Sequence, residues 1–166
     1  MSGIVWIEPV TDRSWADIDT AKRYLDNAKG KTGSALAEKK GCLNVSDLNR
    51  IENDIKYLSE VLNVTCTCST WQSTDIPTKA DKTRIMANAS ALLNAANDYF
   101  DSPPTMPTDL ISFMHFNQLE NVLKLILDAI YEGEKPISSK ARLLPELAVP
   151  LLSNPVCGVV ELTEEG

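Results

Sequence analysis

Few residues in this chain could do chemistry. His115 is the single histidine, and the four cysteines are Cys42, Cys66, Cys68 and Cys157. A serine or cysteine nucleophile needs a base within reach, and a structural zinc site draws on two close pairs of ligands. Cys66-Thr67-Cys68 offers one such pair, whereas Cys42 and Cys157 have no paired spacing. Small buried thiols and a surface or capping histidine are the expectation. Asp17 with Asp19 and Glu132 with Glu134 form carboxylate pairs two residues apart. On a helix such side chains diverge, so both pairs read as solvated surface. No Gly-x-Ser-x-Gly elbow, phosphate-binding glycine loop or dinucleotide fingerprint occurs. The chain is expected to have no catalytic residue, no metal and no cofactor.

The elements that carry these residues are helices. Leu48, Ile51, Ile55, Leu58 and Leu62 alternate steps of three and four, which places them on one helical face. Asn44 or Ser46 can cap that helix, Asp47 suits its positive end, and Asn63 can close it. A second stripe, Ile85, Ala89, Leu92, Ala96 and Tyr99, predicts a helix from Lys79 to Phe100 behind a Thr78 or Asp81 cap. Three prolines within 103–107 forbid its continuation. A third helix is predicted over Ser112–Tyr131, with Phe116, Leu119, Leu123, Ile126 and Ile130 as its stripe. An earlier one runs from Asp12 or Ser14 to Asn27, with Trp15, Ile18, Ala21 and Leu25 on one face. Ser34–Gly41 can add a short turn of helix. Val64–Trp71 alternates with period two and predicts a strand or an extended loop packed by Trp71. Ile4–Ile7 and Val156–Leu162 are strand-like as well.

The expected fold is mainly α, a four-helix bundle-like core over residues 1–135 with short extended or β arms at the termini. Residues 136–166, with four prolines and scattered leucines, read as a C-terminal arm. At 166 residues and 43% hydrophobic, the chain suffices for one globular core. Sixteen basic against 23 acidic residues give a net charge of −7, the wrong sign for the broad basic footprint of nucleic-acid binding. No stretch approaches the ~18 to 20 apolar residues of a membrane span, and no signal peptide is apparent. Nucleic acid and membrane are therefore excluded as expected partners. The tripeptides at Asn44, Asn63 and Asn88 match the N-glycosylation pattern, and without a secretory leader chance accounts for them.

The segment Lys40-Gly41-Cys42-Leu43-Asn44-Val45-Ser46-Asp47-Leu48-Asn49-Arg50-Ile51-Glu52-Asn53 resembles a block in structural proteins of tailed bacteriophages and prophages of Gram-positive bacteria. There, a Lys-Gly-x-Leu-Asn segment leads into an Asp-Leu-Asn-Arg-Ile-Glu-Asn helix. Three further blocks fit the same scheme. Asp12-Arg13-Ser14-Trp15-Ala16-Asp17-Ile18 lies upstream; Trp71, Asp75-Ile76-Pro77-Thr78 and Arg84-Ile85 follow; a Pro-Pro segment then precedes Phe116-Asn117-Gln118-Leu119-Glu120-Asn121-Val122-Leu123. The resemblance covers about residues 12–131. It implies a non-enzymatic virion component of tail or baseplate type, made in the host bacterial cytoplasm, that assembles with itself as a homo-oligomer or with other phage structural proteins. It also implies roles for Asn44, Asp47, Leu48, Asn49, Arg50, Ile51, Glu52, Trp71, Asp75 and Pro77 as motif or assembly residues. Asp47, Asn49 and Arg50 would fix the helix entrance, while Trp71 and the Asp75–Pro77 turn would dock across the bundle. The alternative is a non-virion helical interaction module, a chaperone or adaptor holding a partner helix along an exposed Leu48–Leu62 strip.

Overall fold

Each helix begins just after a short polar residue: Ser14, Asn44, Thr78 or Ser112. Ser14 caps α1 (Trp15–Ala28), accepting from the Asp17 N–H while the Asp17 carboxylate accepts from the Ser14 N–H. Asn44 precedes α2 (Val45–Leu62), and its N–H donates to Asp47 at 3.0 Å. Thr78 and Asp81 form the same reciprocal pair at the start of α3 (Lys79–Ala95). A 3₁₀ turn, Asn97–Tyr99, follows α3, and Ser112 closes the first turn of α4 (Phe113–Glu132) through the His115 and Phe116 N–H groups. The computed structural model of the chain describes residues 3–29 and 37–132. The expected C-terminal arm and its Val156–Leu162 segment lie outside the described residues, as do Cys157 and Gly133.

The fold is mainly α, as the periodicities predict, and no strand occurs among the described residues. Close helix–helix packing is concentrated in α2, α3 and α4, which meet pairwise. Leu48, Ile51, Ile55 and Leu58 of α2 face Ile85, Ala89 and Leu92 of α3 and Phe116, Leu119, Val122, Leu123 and Ile126 of α4. All are buried, and most are wholly so. Burial of each large aliphatic side chain contributes about 1.5–3 kcal/mol.

Helix α1 sits at the edge of this core. Of its apolar stripe only Ala21 is buried, while Trp15 is 65% exposed and Leu25 is exposed too. Trp15 meets Phe113 edge-on, with centroids 5.0 Å apart. The 3.6-residue spacing identifies the apolar face; it does not say that another helix covers it.

Two expected elements are corrected. The helix predicted to reach Phe100 stops at Ala95. Ala96 has ψ near zero, and Asn97 and Asp98, whose side chains compete for backbone partners, tighten into the 3₁₀ turn. Of the short helix expected at Ser34–Gly41, residues 34–36 lie outside the described residues, and the described part, Ala37–Gly41, is coil and turn. The Val64–Trp71 run is an extended loop and forms no strand. Its alternation nonetheless holds: Val64, Cys66 and Cys68 lean on the core while Thr65, Thr67 and Ser69 are exposed. Gly3–Arg13 is likewise an extended strap.

Candidate functional site

Helix α2 carries its apolar stripe between two polar flanks. Asp47, Arg50 and Asp54 recur at helical spacing on one side, with Asn49 and Glu52 on the other. Each flank meets a different part of the chain.

On the first flank, two arginines and two carboxylates alternate in a closed ring. Arg13 Nη2 donates to Asp47 at 2.9 Å and to Glu120 at 2.8 Å. Arg50 Nη2 donates to Asp47 at 2.7 Å, and its Nε to Glu120 at 2.9 Å. Glu120 is fully buried and also accepts the Val10 N–H at 2.7 Å. Asn117 Nδ2 donates to the Arg13 carbonyl at 2.8 Å, and Arg13 Nη1 donates to the Val10 carbonyl at 2.6 Å. The ring is neutral overall and its lone pairs are well occupied, which is the condition under which buried ions are tolerated. Burial alone would raise the Asp47 carboxyl, but the Asn44 N–H, Arg50 and Arg13 hold it below its ordinary 3.8. The stability it contributes is therefore in place above the ordinary carboxyl range and is lost as pH falls below it.

On the second flank, Glu52 takes Arg84 through both oxygens, at 2.9 and 2.6 Å, and the Trp71 indole N–H at 3.2 Å. Arg84 Nη1 and Asn88 Nδ2 both donate to the Thr67 carbonyl. Asn49 clasps the Trp71 backbone, donating to its carbonyl at 3.0 Å and accepting its N–H at 2.8 Å. The extended loop is thus fastened to α2 and α3 by side chains in place of a partner strand. Asn49→Ala is expected to lower stability by about 1–2 kcal/mol. Asn49→Asp keeps the acceptor but sets a carboxylate against the Trp71 carbonyl. It should be at least as costly at pH 7 and recover at pH 4, where protonation restores a donor; urea unfolding at the two pH values checks this.

An open groove of about 710 Å³ runs along the outer face of α2. It is lined by Ser46, Asn49, Arg50, Asn53 and Lys56 of α2, by Ile7 of the strap, and by Cys66, Cys68, Ser69 and Thr70 of the loop. Its thiols are poor nucleophiles. Burial raises Cys66, and burial with the Glu52 charge pushes Cys68 up to about 11. Among the described residues no three His, Cys, Asp or Glu side chains are grouped to hold a metal. His115 bonds Ser112 through Nδ1 at 3.2 Å in the first turn of α4, the capping place expected for it. No described helix is long and apolar enough to cross a membrane.

The residues singled out from sequence divide cleanly. Asn44, Asp47 and Arg50 belong to the first cluster, Asn49, Glu52 and Trp71 to the second, and Leu48 and Ile51 to the core. Asp75 serves its own turn, accepting the Gln72 N–H at 2.7 Å. The Asp75–Pro77 turn stays outward, with Ile76 84% exposed, so Trp71 docks and the turn does not. Arg13, Arg84, Asn117 and Glu120 were not singled out, although all four lie in the blocks quoted above. Glu120 carried a usable signal, being an acid set among Phe116, Leu119 and Leu123 on an apolar face. The Leu48–Leu62 strip is occupied, since Leu48, Ile51, Ile55 and Leu58 are buried against α3 and α4. Comparison with protein-family profiles, curated proteins and solved structures gives no match for the chain.

Proposed function

We propose that this chain is a non-catalytic structural protein of a bacteriophage particle, of tail or baseplate type, that works by assembling with copies of itself or with neighbouring particle proteins. One observation carries this proposal. The polar residues of the separate blocks that resemble phage structural proteins are one another's partners: Arg13 and Glu120 with Asp47 and Arg50, and Trp71 and Arg84 with Glu52. Residues 47, 50 and 52 lie in one block and their partners in the other three. The blocks thus form a single folding signature, and a chain sharing their order would share these ion clusters. That Arg13, Arg50 and Arg84 are held by internal carboxylates also favours a scaffold over a reactive centre.

The exposed surface offers contact material. Trp15, Ile111 and Met114 are 58–70% exposed around the Trp15–Phe113 stack, and a large aromatic side chain left in solvent is a frequent anchor for association. The adaptor alternative loses its proposed groove, because the α2 strip is filled from within. The test is to purify particles on a density gradient and seek the chain by mass spectrometry and immunogold labelling. A fixed stoichiometry on the tail supports the proposal. Presence in the lysate and absence from every particle would overturn it in favour of an assembly chaperone.

A further inference from the structure

Four carboxylates are buried among the described residues, and three of them touch a guanidinium: Asp47, Glu52 and Glu120. Asp54 does not. It is 1% exposed, yet its Oδ1 meets only the Ile7 N–H at 3.1 Å and the Asn53 amide at 3.4 Å. One residue before Ile7, the Trp6 indole N–H is buried with no partner while its ring packs edge-on against Tyr57. Two penalties therefore fall on one contact, an uncompensated acid and an unanswered donor, and both are relieved if Val5–Ile7 leaves α2. Farther along, the strap is firmly held by Val10 on Glu120 and by Arg13 in its ring. On Val5–Ile7 itself, besides the Asp54 contact, Asn53 Nδ2 donates to the Val5 carbonyl at 2.8 Å at an exposed position, so the weakness is local to the buried Asp54 and Trp6 contact.

We propose that Asp54 is a proton-operated latch for the N-terminal strap: protonated, it keeps Val5–Ile7 seated on α2, and loss of the proton lets that stretch lift, uncovering Trp6 and removing the Ile7 wall of the groove. The charged groups acting on Asp54 are Glu120 from α4, which opposes its ionisation, and Arg50 from α2, already shared between Asp47 and Glu120. Glu8 on the strap is turned to Lys124 of α4, and the Tyr57 hydroxyl to that of Tyr131. Burial pushes the seated Asp54 carboxyl up to about 7, with the Ile7 N–H and Asn53 opposing. Exposed to water in the lifted state, the carboxyl is expected to move back toward its ordinary 3.8. Opening then releases one proton, so seating is strongest below pH ~4, weakens about tenfold per unit up to about pH 7, and is level above it.

Hydrogen exchange of the Ile7 amide in the full chain, corrected for its intrinsic rate, reads this directly. Between pH 5 and 7 its protection should fall about tenfold per unit, remain below that of the α4 core amides, and level off by about pH 7.5. Asp54→Asn, which still accepts the Ile7 N–H, should flatten the profile. A flat wild-type profile, a slope that survives in Asp54→Asn, or Ile7 protection equal to that of the α4 core would overturn the latch. Should Asp54→Asn fail to fold, the Asp54 carboxyl carbon can be titrated by NMR in the wild-type chain. A midpoint raised well above 3.8 supports the proposal, and one near 3.8 overturns it.

Discussion

Glu120→Ala is expected to lower the stability of the folded chain by about 3–5 kcal/mol, the range found when one member of a buried ion pair is removed. The Glu120 side chain receives four donors: Arg13 Nη2, Arg50 Nε, Arg50 Nη2 and the Val10 N–H. Without it, two guanidiniums share Asp47 alone and one positive charge is left uncompensated inside the protein. For a chain of this size, that loss lowers the melting temperature by roughly 10 °C or more. The double variant Arg13→Ala with Glu120→Ala leaves the Arg50–Asp47 pair intact at 2.7 Å. Its cost should fall short of the sum of the single variants by about 1–3 kcal/mol. Urea unfolding of the four proteins measures both quantities. A single-variant loss under about 1 kcal/mol would mean that water replaces the missing carboxylate and that the ring holds nothing together.

A second large effect is expected at Gly41. Its backbone lies against the first turn of α1, where an added Cβ would sit 2.6 Å from the Ile18 nitrogen and closer still to the Asp17 carbonyl. Both obstacles are main chain, so no side chain can swing away to relieve them. Gly41→Ala should cost about 3 kcal/mol, the upper end of the range for inserting a methyl group into a packed site. The damage should be regional. α1 is capped by its own Ser14–Asp17 pair and stands apart from the α2–α3–α4 core, so helix content should barely change while α1 loses its seat. Hydrogen exchange should show α1 amides deprotected and α4 amides nearly unaffected. Gly3→Ala, with open space around the added carbon, is the control and should be within about 0.5 kcal/mol of wild type. Equal destabilisation by both variants would remove close packing as the reason for glycine at position 41.

Much of the fold was legible because its signals are local. The Leu48–Leu58 stripe, the Thr78–Asp81 cap and the left-handed Asn63 that ends α2 each depend on residues a few positions apart. Apart from the Arg50–Asp47 pair, three residues apart, the ion pairs of the two clusters span 32 to 107 residues, and nothing in the spacing of Arg13 announces Glu120. Gly41 looked like a helix stop, since a glycine serving close approach and one serving a turn are the same letter. Trp15 was legible as part of an apolar face, but a stripe records which way a helix faces, whatever lies opposite. Asp47, Asn49 and Arg50 were legible as helix-entrance residues. Their second role, reaching Arg13, Trp71 and Glu120, requires the third dimension.

The span between Arg13 and Glu120 also sets a clock. A chain made from its N-terminus at about 5–20 residues per second offers Arg13 no Glu120 for roughly 5 to 20 s. During that interval the apolar face of α2 has emerged, but the α4 face that covers it has not. The ion ring that locks the finished subunit is thus among the last contacts it can make. Before that moment each growing chain presents Leu48, Ile51, Ile55 and Leu58 to its neighbours on the same messenger.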